Sequence, residues 1–280
     1  MKKKIKSAEN VERSDKLQYH IGLRPKDVVN NILLCGDPAR VKLVAEEMLD
    51  DVSEEISHRE FFTVTGKWCG VPVTAMATGM GPDNMEIAVI ELSQIVKNPT
   101  FIRDGSCGAI NRNIGLGDHI ITTGAVRLEN TSTSYVMDGY PAVAHHEVVL
   151  ALLEASGRLN AKSFLGITAT TSSFYGGQAR KISGFPIVNE NLVEQLEKMN
   201  VLNFEMETSC LLTLASLAKF RAGTICFSMD NRIKNTFIDD RKKIISEKEC
   251  LKIGLTAFEV LHKMDLAKKR SEHWIPSMGI

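Results

Sequence analysis

Neither sign of charge prevails in this 280-residue chain: Lys plus Arg and Asp plus Glu both number 34. Without a net field the surface has no long-range pull on a nucleic-acid backbone or an anionic membrane, so an anion must be held by a local cluster of donors. Long apolar runs are missing too: "LLTLASLA" (211–218) is far short of the roughly 20 residues that a membrane-spanning helix needs. The six cysteines (Cys35, Cys69, Cys107, Cys210, Cys226 and Cys250) form no C-x-x-C pair and have no histidine partners nearby. That pattern suits reduced thiols in a cytoplasmic protein better than disulfides or zinc. No G-x-G-x-x-G sits at a strand-to-helix turn and the Walker pattern is absent, which argues against a dinucleotide or P-loop site. No Pro/Gly/Ser-rich linker, low-complexity block or obvious internal repeat divides the chain between Leu23 and the C-terminal helix.

What is present is the composition of a globular protein, with 44% hydrophobic and 24% charged residues. The start, "MKKKIKSAENVERSDK", is basic and polar with no apolar stretch after it, so it lacks the signal-peptide pattern. Residues 1–18 are expected to be a disordered arm and 19–280 a single domain. "NNILLCGDPARVKLVAEEML" runs from a buried-strand pattern through a Gly-Asp-Pro turn into apolar positions at helical spacing. "FFTVTGKWCGVPVTAMATGMG" reads as a hairpin turning at "KWCG", "FIRDGSCGAI" as a strand followed by a glycine turn, and "EMETSCLLTLASLAKF" as a helix. Strands interleave with helices throughout. The expected fold is therefore α/β, a single domain with a central, mostly parallel but mixed β-sheet flanked by helices.

In such sheets small ligands bind where strands end in glycine loops and helix N-termini begin. "GDPARV" places Gly36 where its amide can approach a ligand and Arg40 in the next helical turn. "IRDGSCGAI" follows Arg103 with Gly105, Ser106 and Gly108, so that a guanidinium, a hydroxyl and amides offer the donors a phosphate requires. "SHREF" adds His58 and Arg59. Each loop alone fits an ordinary turn; together they suggest a compact, phosphate-sized anion. "SFYGGQAR" (173–180) has no apolar periodicity. Its Gln178 amide can pair with the N3–H and carbonyl edge of a pyrimidine, its Arg180 fork can hold the other carbonyl, and Phe174 supplies a flat wall.

The Gly36-Asp37-Pro38 turn with Arg40, then "SHREF", "TGMG", "RDGSCG", "FYGGQAR" and "NFEMETS" stand in the order and approximate spacing of the nucleoside phosphorylase family, which the chain resembles from Tyr19 to about Arg232. Within that family F-Y-x-G-Q-x-R marks uracil recognition and E-M-E ribose binding. The resemblance implies a nucleoside phosphorylase-like fold and a pentosyltransferase that converts uridine and phosphate to uracil and ribose 1-phosphate in pyrimidine salvage. It implies phosphate ligands at Gly36, Arg40, Arg103 and Ser106, with Arg59 reaching a neighbouring subunit's site. Ribose would lie over Met206 with Glu207 and Glu205 in the same motif, and His20 would cross to the 5′-hydroxyl. Arg180, Gln178 and Arg103 would be the catalytic donors. No cofactor is implied beyond phosphate as co-substrate, with a monovalent cation at the dimer interface left open, and the expected assembly is a homohexamer built from dimers.

Three features depart from the pattern. Asp104 stands where relatives usually have an apolar residue, and "GMGPDN" replaces the proline and serine arrangement next to the interfacial cation site. Asp230 lies near where purine-cleaving members place the acid that protonates N7, which keeps a purine nucleoside phosphorylase as an alternative. A non-catalytic nucleoside-binding homologue is the other. His145 and His146 read as structural, because no motif places a third metal ligand. Trp274 and Ile275 in the tail are suited to docking on a neighbour.

Overall fold

Alternation of short apolar runs with segments of helical period becomes, in three dimensions, one mixed sheet clad by helices on both faces. The computed structural model describes residues 5–9 and 11–280. In chain order the elements are β1 (Asn31–Cys35), α1 (Pro38–Glu47), β2 (Ile56–His58), β3 (Phe61–Trp68), β4 (Val71–Ala77), α2 (Pro82–Ile95), β5 (Thr100–Ala109), β6 (His119–Leu128), β7 (Ala142–Val143) and α3 (His146–Arg158). They continue with β8 (Ser163–Thr171), α4 (Leu192–Lys198), β9 (Val201–Glu205), α5 (Thr208–Leu217), β10 (Arg221–Asn231), β11 (Thr236–Phe237) and α6 (Asp240–Lys268).

β1 is parallel to β4 on one side and to β5 on the other. Buried on both faces, it sends Leu33 and Cys35 to a core formed with α1, α3 and α6, and Ile32 and Leu34 to a core formed with α2 and α5. The expected β3–β4 hairpin forms, and Cys69 and Gly70 at its tip take φ values of 48° and 81°, as a tight hairpin turn demands.

β5 belongs to two arrays. It pairs with β1 over Thr100 to Asp104, and with β10 along its whole length. From β10 the pairing passes antiparallel to β6, parallel to β8, parallel to β9, and antiparallel back to the last two residues of β5. Those strands close a ring, and β1, β4, β3 and β2 extend from it as an open wing.

Two sequence expectations change. The segment around Gly105 and Gly108 is not a turn: β5 runs straight through both glycines to Ala109. "NFE" of the ribose motif is strand β9 rather than the start of a helix, and α5 begins only at Thr208. The Glu205 carboxylate accepts from the amides of Glu207 and Thr208 at 2.8 and 2.9 Å, so a strand residue satisfies the open donors at the start of α5.

Of the arm over 1–18, residues 1–4 and 10 lie outside those described; Ile5 bridges Arg13, and Glu12 and Gln18 are buried. The tail docks Trp274 on its own chain, against the α3–α6 core, with its amide on Glu147 at 2.9 Å. Ile275 remains exposed.

Because Leu33 is fully buried in the strand that joins wing to ring, Leu33→Ala is expected to remove about 2–5 kcal/mol of stability, measured as a shift in denaturation midpoint at unchanged denaturant slope.

Candidate active site

β1 stops at Cys35, opposite Asp104, and leaves the sheet through Gly36 into α1. β5 continues for five more residues, and β9 joins its free side only at Gly108. The strands thus part over Gly105 to Cys107, at the carboxyl ends of parallel strands, which is where α/β sheets open a crevice. A cavity of about 560 Å³ occupies it, a volume suited to a small molecule.

Strand alternation sends Arg103 and Asp104 to opposite faces of β5. Arg103, almost fully buried, folds back over Gly105, where a Cβ would sit 2.1 Å from Nη1, so any larger residue there displaces the guanidinium. Its guanidinium donates to the Glu207 carboxylate and lies 3.4 Å from Glu205. Burial acts to lower the Arg103 pKa, but Glu207 and Glu205 outweigh it and hold the group well above the ordinary guanidinium value. Arg40 comes from the first turn of α1. It donates through Nε to Glu247 at 2.5 Å, stacks over the Phe227 ring at 5.3 Å and places Nη1 3.7 Å from Asp104. Gly36 and Ser106 line the same region of the wall.

Between β9 and α5, Met206 and Glu207 face the cavity. Glu207 accepts from the Gly81 amide at 2.6 Å as well as from Arg103. Glu205 is more deeply committed, accepting from the Thr170 hydroxyl in addition to the two amides of α5.

The "SFYGGQAR" loop forms a short 3-10 turn over Gly176–Gln178 that ends with Ala179 in the left-handed region at φ 52°. Arg232 fixes this bend by donating to the carbonyls of Gln178 at 2.9 Å and Ala179 at 3.4 Å. Gln178 is thereby buried, and Arg180 lies 4.1 Å over the Phe174 ring with Nη2 on Asp230 at 2.9 Å. Asp230 belongs to β10, and it is buried over Gly108, where a Cβ would meet its Oδ1 at 2.3 Å.

Gly36, Arg40, Arg103, Ser106, Phe174, Gln178, Arg180, Glu205, Met206, Glu207 and Asp230 therefore share one cavity. His20 and Arg59 do not line it. His20 is held by Glu91, 2.6 Å from its Nδ1, and the exposed Arg59 stacks on Tyr19 at 5.1 Å. Sequence reasoning missed Phe237 in the cavity wall, while Met80 of the "TGMG" motif and Lys243 of the charged run "DDRKKIISEKE" also line it. Phe237 is an apolar residue of the short strand β11, and nothing in the local sequence marks it as part of a site. His273 joins His146 and Glu147, with ligand atoms within 4.8 Å of one another. There Glu147 already accepts from Lys268, Arg221 and the Trp274 amide, so two cations occupy the place of a metal.

A profile of the phosphorylase superfamily matches residues 31–256. The chain is 43% identical to "Uridine phosphorylase" of Thermococcus kodakarensis over 282 aligned residues, covering 99% of each. It is 35% identical to "Uridine phosphorylase" of Escherichia coli, covering 85% of this chain and 96% of that one. With "Purine nucleoside phosphorylase DeoD-type 1" of Shewanella oneidensis it shares 30% identity, over 86% and 98% of the two chains.

Gly105→Ala should overpack the Arg103 guanidinium and remove about 1–3 kcal/mol of stability. An unchanged thermal midpoint would show that Arg103 swings aside freely.

Proposed function

The chain belongs to the phosphorylase superfamily, and from that membership we propose that it is a uridine phosphorylase, which exchanges the uracil of uridine for phosphate to give ribose 1-phosphate. The observation that carries this reading is the sharing of one cavity by two donor groups: Arg40 with Arg103, whose guanidinium lies over Gly105, and Gln178 with Arg180, which pairs with the Asp230 that lies over Gly108. Along β5 the two glycines stand three residues, roughly 10 Å, apart. Met206 and Glu207 stand in the same wall.

In this reading phosphate lies against Arg40, Arg103, Ser106 and the Gly36 amide, and its oxygen attacks the anomeric carbon as the bond to uracil N1 breaks. Fixing the nucleophile supplies orientation. Glu207 accepts from the ribose 2′- and 3′-hydroxyls, charge-assisted bonds that hold the sugar over the soft Met206 thioether. Negative charge grows on the departing base, and Gln178 and Arg180 stabilise it as preorganised donors. Asp230 braces Arg180 through their ion pair. That contact leaves Asp230 Oδ1 buried without a hydrogen-bond partner among the described residues, so what favours the uridine reading over the purine one is the Gln178 and Arg180 pair and not the ion pair.

No cofactor takes part in this scheme, and the partners are the nucleoside and phosphate. His20 and Arg59, which lie outside the cavity of their own chain, complete the site of a neighbouring copy, and the assembly is a homohexamer built from three dimers. Its setting is pyrimidine salvage in the cytoplasm. The free state of the cysteines supports that setting, and no described helix is long and apolar enough to cross a membrane. A monovalent cation at the dimer interface is left out of the scheme, since "GMGPDN" departs from the arrangement that would hold one.

The test is base release from uridine and from inosine, each with and without phosphate. Uracil release that requires phosphate, with little hypoxanthine, is expected. Preferential inosine cleavage would move Asp230 into the role of an acid, and no turnover of either would leave a nucleoside-binding protein. Arg180→Ala is expected to lower kcat about 100-fold with a much smaller change in KM; a change confined to KM would remove Arg180 from the transition state.

A further inference from the structure

Arg40, Arg103 and Lys243 bring positive charge to the anion end of the cavity. Four carboxylates oppose them: Glu247 on Arg40, Glu205 and Glu207 on Arg103, and Asp104 beside Arg40. Even with Arg59 of a neighbouring copy added, the cations only balance these carboxylates, so a tetrahedral dianion brought to this place adds negative charge that nothing offsets, and its binding favours neutralising one carboxylate.

Hydrogen bonding identifies which one. Glu205 accepts from two amides and a hydroxyl, Glu207 from an amide and Arg103, and Glu247 from Arg40. Each of those bonds favours the ionised acceptor. Asp104 is fully buried, and among the described residues neither of its oxygens accepts a hydrogen bond from a nitrogen or oxygen donor. Arg40 faces it from α1, Cys35 from β1, and Glu247 and Cys250 from α6; Arg103 is its neighbour on β5, and β10 presents the apolar Ile225. Both thiols are pushed up by burial and stay neutral, so Arg40 and Arg103 are the cations that stabilise an Asp104 carboxylate.

We propose that Asp104 is the proton-linked partner of Arg40: as a tetrahedral dianion binds beside Arg40, the Asp104 carboxylate takes one proton from solvent and becomes a neutral carboxyl. The exchange frees the Arg40 charge for the anion and leaves no ionised group buried without a partner. It rests on the reading that this end of the cavity holds phosphate. Burial raises the Asp104 pKa to about 6, against the lowering effect of Arg40, which places the group on the ionised side at neutral pH before the anion arrives.

The test uses sulfate, a tetrahedral dianion that does not itself titrate in the neutral range, and the full-length protein. Titration calorimetry in two buffers of different ionisation enthalpy reads the protons taken up. In the wild-type protein uptake should approach one proton at pH about 7.5 and fall toward zero at pH about 5, with affinity weakening up to about tenfold per pH unit above the Asp104 pKa. The isosteric Asp104→Asn should bind sulfate without proton uptake, with affinity flat across that range and about 100-fold tighter than wild type at pH about 8. Sulfate binding without uptake in the wild-type protein, or uptake that persists in Asp104→Asn, overturns the proposal and leaves the uridine reading standing. Failure of the wild-type protein to bind either sulfate or inorganic phosphate overturns the proposal together with the phosphate site beneath it.

Discussion

Arg40, Arg103 and Arg180 all enter the cavity already paired with carboxylates: Glu247 and Asp104, Glu207 and Glu205, and Asp230. A buried guanidinium without such a partner would be strongly unfavourable, because the interior cannot replace the water it gives up. The fold has therefore had to bring acids to the same crevice, and those acids fix where each guanidinium points. The pairing that makes burial of the arginines tolerable also makes them rigid, which is what a binding or catalytic donor needs.

β5 is where these pairs are assembled. It is shared by the wing and the closed ring, so residues from α1, α6, β9, β10 and the Gly176–Gln178 turn can all reach it. Its two glycines are open places on the strand over which charged side chains lie: Arg103 over Gly105 and Asp230 over Gly108. Side chains at these two positions would displace the Arg103 guanidinium and the Asp230 carboxylate from their places.

Much of this was legible in the sequence. The β1 to α1 turn, the β3–β4 hairpin, the helical periods and the donor-rich loops all follow from local pattern, and eleven of the thirteen candidate site residues share the cavity, with His20 and Arg59 outside it. The errors were local as well. A run such as "DGSCG" has turn composition, yet pairing to β10 keeps it extended, since hydrogen bonds to a neighbouring strand outweigh the preference of isolated glycines. "VLNFE" is a five-residue buried strand with no alternation to separate it from the helix after it.

The sequence by itself determined the chemistry available: arginines, an amide and glycines in loops at strand ends, in a chain whose overall charge cancels. Only the tertiary structure decided which carboxylate meets which guanidinium. Arg103 and Glu207 are 104 positions apart, Arg180 and Asp230 are 50 apart, and the Arg40 guanidinium reaches the carbonyl of Asp104 across 64. Contacts at such separations are set by sheet register and strand order and not by local preference, because closing long loops is favourable only once the whole core is packed. Asp104 is the clearest case. In the sequence it is one polar residue beside an arginine, and strand alternation turns it to the opposite face, away from Arg103 and against Arg40.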